Sequence, residues 1–341
     1  MIELSELHDA AQKAFPRDAL RPDRDQSWKL IAEMGWLMLP LAEDKGGLGL
    51  GRDAAAAIHF ELGRVLCPAP LIPAMAAVQA LGQADSLADQ AGWIERACAG
   101  EFITLSLSRD LSAGALTASG DTLNGTLPAV ADADMASHVL IFADGLAALV
   151  PLNAAGVTVS ERKLWDESRR LSDVTLANVA IDAALVLARG DAARALAQST
   201  HAELLFALAA DSLGGANGLL EQTVDYLKTR KQFDRPLAMF QALKHRSADL
   251  KIMIGAAEAL LWSRATQADA TLAQIGGTKA HAVEVYRFVS EESIQLHGGI
   301  GLTEEYYCHL FMKRANLNVQ LAGDADQWRE AVGREALAAY A

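Results

Sequence analysis

The spacing of apolar residues changes character twice along this chain. In the first hundred residues it is helical: Leu4, Leu7, Ala11 and Ala14 share one face. A second helix is predicted from Trp28 to Trp36, stopping before Pro40. The stretch from Glu43 to Gly51 places four glycines within six residues and breaks any regular element. An Ala-rich third helix follows from Asp53 to Leu66, and Pro68, Pro70 and Pro73 punctuate the next connection. From about Glu101 short apolar runs replace the stripes, at Phe102–Leu107, Ala115–Thr117, His138–Phe142 and Gly156–Val159. Gly120-Asp121 and Asn124-Gly125 stand between such runs as turn signals. From about Asp191 the helical period returns. Leu213, Leu220 and Leu227 make one stripe, and Leu250, Met253, Ile254, Ala257 and Leu261 a second. Ala282, Val285, Tyr286, Val289, Ser293 and Leu296 make a third. Long antiparallel helices of this kind pack as a bundle. The pattern therefore predicts a mainly α chain with a small middle β domain: a helical domain over 1–100, a reduced β domain over 101–188 and a helical bundle over 189–341.

Composition narrows the function classes. The chain has 341 residues, 51% of them hydrophobic and only 9 of them proline, which excludes a disordered polymer. A formal net charge of -13 gives no general attraction for nucleic acid, yet leaves room for a local basic pocket that takes an anionic ligand. The three cysteines, Cys67, Cys98 and Cys308, are far apart and without metal-ligand spacing, as expected of reduced thiols. The opening MIELSELHDAAQKAF is a charged amphipathic pattern without the apolar core of a secretory signal. No run reaches the length of a membrane span. A soluble, cytoplasmic chain is expected.

Two segments carry chemistry. Arg230-Lys231-Gln232-Phe233-Asp234-Arg235-Pro236-Leu237-Ala238-Met239-Phe240-Gln241 joins two predicted helices. Its arginine can grip a pyrophosphate and its phenylalanine can stack on a flat heterocycle. Gln295-Leu296-His297-Gly298-Gly299-Ile300-Gly301-Leu302-Thr303 ends a long helix in glycines that let a ligand approach bare backbone. Each alone reads more readily as an ordinary charged turn or a helix cap. In this order, Arg-x-Gln-Phe-x-x-Pro-x-x-x-Phe-Gln followed by Gln-x-His-Gly-Gly-x-Gly, they resemble the acyl-CoA dehydrogenase signature. Tyr306 to Ala315, with His309, Lys313 and Arg314, resembles the same family. So do Gly35-Trp36-Leu37, Pro40, Lys45-Gly46-Gly47-Leu48-Gly49 and Glu61-Leu62-Gly63-Arg64 near the start.

The resemblance implies an N-terminal α domain, a β domain and a C-terminal four-helix bundle. It implies FAD as cofactor, an acyl-CoA substrate desaturated at Cα–Cβ, an electron-transfer acceptor, and tetramers built as dimers of dimers. The positions matching the family's FAD contacts are Arg230, Phe233, Gln241, Gln295, Gly298 and Gly299, a set that reaches across a subunit interface to the ADP half of a neighbour's FAD.

Departures from the family pattern are as informative. The flavin loop, usually Thr-Glu-Pro-Gly-x-Gly-Ser-Asp, corresponds here to Leu107-Ser108-Arg109-Asp110-Leu111-Ser112-Ala113-Gly114 and lacks its Glu, Pro and paired glycines. Leu123-Asn124-Gly125 leads into Thr126-Leu127-Pro128-Ala129-Val130 without the family's flavin-facing aromatics. Where the family's catalytic Glu is expected stands Ala322. At the alternative position on the first bundle helix stands Leu204. Glu203 is one residue, about 100° of helix, away from it. Asp211 lies two turns on from Leu204 on the same face and is the candidate base, its bland alternative being a carboxylate satisfied by neighbours. Asp234 replaces a usual Gly. Trp165 is expected in the β-domain core, His245 and His281 in solvent, and His297 at cofactor or cap. Together these features resemble the short subunit of bacterial α2β2 heterotetramers that shorten sterol side chains, in which a second acyl-CoA dehydrogenase-like chain completes the FAD site. A self-sufficient homotetramer and a purely structural subunit remain the alternatives.

Overall fold

The computed structural model describes residues 3–111 and 116–340. Five helices come first: α1 (Leu4–Ala14), α2 (Arg24–Glu33), α3 (Arg52–Arg64), α4 (Leu71–Gln83) and α5 (Gln90–Cys98). The second begins and ends earlier than its apolar pattern predicts. Gly35 takes φ 70°, which ends the α-helical path, and Trp36–Met38 continue as a 3-10 turn. The prolines after Leu66 do not mark a long connection. Pro70 caps α4 and Pro73 lies in its first turn, where a missing N–H costs nothing.

Among the described residues the middle of the chain holds eight strands: β1 (Ile103–Leu105), β2 (Leu116–Ser119), β3 (Thr122–Ala131), β4 (His138–Ala143), β5 (Leu146–Pro151), β6 (Val157–Arg162), β7 (Leu171–Ala180) and β8 (Val186–Arg189). They form two four-stranded sheets, ordered β1-β4-β5-β8 and β2-β3-β7-β6. Only the β1–β4 pair is parallel. Leu123, Val130, Val139, Ile141 and Val174 fill the space between the sheets. Gly120-Asp121 makes the β2–β3 hairpin, with Gly120 at φ 59°. Asn124-Gly125, expected as a turn, instead lies inside β3 at a register shift between Leu123 and Gly125.

A 40-residue helix, α6 (Gly190–Thr229), opens the bundle. A hairpin of β9 (Lys231–Gln232) and β10 (Arg235–Pro236) leads to α7 (Gln241–Ala265), α8 (Leu272–His297), α9 (Cys308–Gln320) and α10 (Ala325–Ala338). Thr271 and Gln274 close a capping box at the start of α8. The three predicted stripes face inward except Met253, which is exposed on α7 beside Ile252. The seam between α3 and α6 is a backbone-to-backbone contact. A Cβ added at Gly214 would lie 1.8 Å from the Phe60 carbonyl oxygen, and one at Gly63 would lie 2.2 Å from that of Asp211. Trp165 is not core: it is 59% exposed. Its neighbours Asp166 and Ser168 bond inward, so Trp165 is left pointing out, with the Lys313 ammonium 5.8 Å from its ring. Among the described residues no helix is long and apolar enough to cross a membrane.

Candidate cofactor site

Arg230 caps the C-terminus of α6, where the backbone turns extended. The two residues that reverse the β9–β10 hairpin, Phe233 and Asp234, both adopt left-handed geometry, φ 53° and 59°. That is the pair of angles a tight two-residue hairpin needs, and Asp tolerates it where the family has Gly. Phe233 is thereby pushed into the open, 86% exposed. Its ring meets Phe240 edge-on at 6.2 Å, while the Arg235 guanidinium lies 4.0 Å from the Phe240 ring centre. Gln241 is the first residue of α7, and Phe240, its N-cap, supplies no side-chain acceptor. The first amides of α7 are therefore available to an anion.

α8 delivers the second segment to the same end of the bundle. Gln295, Gly298 and Gly299 are exposed. Gly298 takes φ 68°, and a Cβ added at Gly298 or Gly299 would meet nothing within 4 Å. Tyr226, one turn before Arg230, stacks on His297 at 4.3 Å and donates to its carbonyl oxygen at 3.3 Å. Arg246 Nε to Glu292, 2.9 Å, ties α7 to α8. His297 is buried beneath the glycines. It donates from Nδ1 to the Ser293 carbonyl at 2.8 Å, and burial holds it below the ordinary imidazole range. His245 and His281 are exposed. Arg230, Phe233, Gln241, Gln295, Gly298 and Gly299 thus share one open surface of phosphate-gripping, stacking and bare-backbone groups.

The position expected from the resemblance to carry the catalytic Glu, Ala322, is closed. Ala322 is 0% exposed, and its N–H donates to the Leu107 carbonyl at 2.9 Å. Its own carbonyl accepts from Trp328 Nε1 at 3.0 Å and from His201 Nε2 at 3.2 Å. Lys279 donates to the carbonyls of Val319 and Gly323, at 3.1 and 2.7 Å, on either side of it. Leu204 is wholly buried, while Glu203 turns away and pairs with Arg52 at 2.7 Å. Part of the loop matching the flavin motif, Ser112 to Gly114, lies outside the described residues. Its beginning, Leu107, packs directly against the Ala322 turn.

Asp211 sits in a buried ion cluster and not on an open cleft. One oxygen accepts from Arg169 at 2.9 Å and from Arg314 at 3.2 Å; the other accepts from Asn318 at 2.8 Å. Arg314, also fully buried, reaches Asp166 at 3.0 Å, the Ser168 hydroxyl at 2.6 Å and the Cys67 carbonyl at 3.4 Å. Burial alone would raise the Asp211 carboxyl, but Arg169 and Arg314 outweigh it and hold the group below the usual carboxylate range. Nearby His59 is pushed down to about 4 by burial. The cluster joins the N-terminal helices, the 163–170 loop of the β domain, α6 and α9. Arg314 stands in a recognisable motif. Asp166 and Arg169 lie in an irregular loop where no periodicity marks them. Nor does the sequence mark Lys279, which stands among the polar residues Thr278, His281 and Glu284.

Residues 4–101 match the acyl-CoA dehydrogenase N-terminal domain and residues 191–337 the acyl-CoA dehydrogenase C-terminal domain. The acyl-CoA dehydrogenase IpdE2 of Mycobacterium tuberculosis is 32% identical over 327 residues, spanning 91% of this chain and 87% of its own length. The chain belongs to the acyl-CoA dehydrogenase family. Its fold is that of the family, and as an acyl-CoA dehydrogenase it is an FAD-dependent enzyme. Among solved structures, a chain of the Tcur3481-Tcur3483 steroid ACAD G363A variant is 29% identical, with a TM-score of 0.87 over 99% of both chains. A chain of the ChsE4-ChsE5 complex from Mycobacterium tuberculosis is 25% identical, with a TM-score of 0.81 over 98% of this chain and 96% of that one. The open end of this acyl-CoA dehydrogenase's bundle has the chemistry to take a phosphate-bearing group: the start of α7 has no side-chain cap, Arg230 is exposed, and Gly298 and Gly299 are unobstructed.

Proposed function

We propose that this chain is one subunit of a heteromeric acyl-CoA dehydrogenase that desaturates a steroid-derived acyl-CoA, and that it lends the ADP half of an interfacial FAD site to a second acyl-CoA dehydrogenase-like chain. The observation that carries this is the contrast between its two half-sites: the phosphate-and-stacking surface is open, and the base position is buried and hydrogen-bonded shut. FAD, when bound, accepts the hydride from Cβ. In this reading Arg230 and the first amides of α7 hold its pyrophosphate, Phe233 offers a ring face, and Gly298 and Gly299 permit close approach. Gln241 and Gln295 supply amides to orient it. The proton at Cα goes to a carboxylate of the partner, because Ala322 has no group to accept it and Asp211 is committed to two guanidiniums.

The outer face of α7 supports a partner. Ile252, 69% exposed, and Met253 lie on a helix whose inward face already holds Leu250, Ile254 and Leu261. A helix apolar on both sides is one that expects cover. This face begins at Gln241, so it runs on from the open half-site. The steroid label and the two-chain composition of the similar solved structures agree with this assignment. A self-sufficient enzyme would have to break the contact between the Ala322 turn and the β domain. A purely structural subunit has no use for a phenylalanine held in left-handed geometry in the open.

Co-expression with the partner chain tests the proposal. FAD per complex is expected to fall severalfold when this chain carries Arg230→Ala, with the complex still assembled. Unchanged FAD content and unchanged turnover in that variant would remove this surface from the cofactor site.

A further inference from the structure

The turn that closes the base position is fastened from four elements. Leu107 of the β domain accepts from Ala322, His201 of α6 and Trp328 of α10 donate to it, and Lys279 of α8 spans the carbonyls of Val319 and Gly323. Three of these fastenings are neutral. Lys279 differs in kind: its side chain is fully buried, at 0% exposure, and its hydrogen-bonding partners among the described residues are two main-chain carbonyls. An ammonium so placed loses most of its hydration without gaining an ion pair.

We infer that Lys279 is a proton-operated latch, which as a neutral amine holds the Val319–Gly323 turn against the β domain and on protonation favours release of that turn. The inference rests on the reading in which the Ala322 cleft of this chain is closed. The charged surroundings are few. Asp324, the N-cap of α10, attracts the ammonium. On α6, His201 is kept uncharged by burial, and Asp110 of the loop after β1 acts on His201 from the β-domain side. Burial pushes the Lys279 amine down to about 7, and Asp324 recovers only part of this.

The sign follows from linkage. With the turn released, Lys279 regains its ordinary value of about 10.5, so between about pH 7 and 10.5 each release takes up a proton. Release therefore becomes rarer as pH rises through that window, by up to about tenfold per unit, and is independent of pH below it.

Hydrogen exchange of the Ala322 amide in the full chain, measured from pH 6 to 9 and corrected for intrinsic exchange, reads this directly. The expected result is an opening equilibrium that is flat to about pH 7 and then falls by up to tenfold per unit, while amides of the α3–α6 seam show no such break. In Lys279→Met the slope at Ala322 should vanish. A flat profile in the unmodified chain, or an unchanged slope in Lys279→Met, overturns the latch. Should Lys279→Met not fold, NMR titration of the Lys279 ε-carbon in the unmodified chain decides: a midpoint near 7 supports the latch and one near 10.5 overturns it. The measurement needs neither flavin nor partner. A failed latch with intact flavin sharing, or the reverse, is thus recognised as such.

Discussion

Asp211 shows what a helical spacing can and cannot predict. Counting two turns from Leu204 places it on the right face of α6, but that face also receives Arg169 from the β domain and Arg314 from α9. Neither guanidinium is near it in sequence, so the spacing cannot distinguish a free base from a neutralised joint. Removing one partner from a buried ion pair leaves uncompensated charge behind. Asp211→Ala is expected to lower unfolding stability by about 3–5 kcal/mol in denaturant titration, with FAD per folded complex retained. A normal denaturation midpoint together with lost turnover would restore Asp211 as a base. The same cluster sets an acid response. The folded Asp211 carboxyl is held below its unfolded value, so its contribution is present above the ordinary carboxylate range and is lost as pH falls through the folded value. Asp211→Asn should flatten the acid limb of a stability-versus-pH curve; an unchanged limb would show that other carboxylates control it.

At the scale of elements, the β9–β10 hairpin and the α3–α6 seam depend on opposite uses of backbone freedom. The hairpin keeps two non-glycine residues in left-handed geometry, a strain of order 1–3 kcal/mol each, and what it gains is an exposed Phe233. Phe233→Gly is expected to leave the melting temperature equal or higher while lowering FAD content in the complex. A lower melting temperature with full FAD content would make the ring structural. In the seam, glycine is required. Gly214→Ala has to push apart two backbones already in contact, at a cost of roughly 1–3 kcal/mol or more in thermal unfolding. These elements also mark what the sequence makes legible. The stripes on α6 and α8 are legible because large apolar residues repeat with the helical period, although on α6 every residue from Leu204 to Leu220 is buried. α4 is not, since Pro70 and Pro73 look like a connection until they are placed at a helix start. Trp165 is misjudged because an irregular loop has no period, and only the inward bonds of Asp166 and Ser168 fix which way it points. The residues proposed for the cofactor are singled out by motif order alone. Their exposure, like the sealing of Ala322 by Leu107, His201, Trp328 and Lys279, depends on contacts far apart in the chain.

The whole molecule is a finished fold with an unfinished site. Its three layers share one buried cluster around Arg314, the turn at Ala322 is closed by its own backbone, and the residues proposed to hold FAD face outward beside an apolar helix face on α7. Such a molecule is expected to fold and remain stable alone, yet to have no visible flavin band until a complementary chain completes the site. The most direct measurement is the absorbance spectrum, with FAD quantified per chain, of this protein purified alone and purified with its partner. A flavin band from the complex only is the predicted result; stoichiometric FAD on the chain by itself would contradict it.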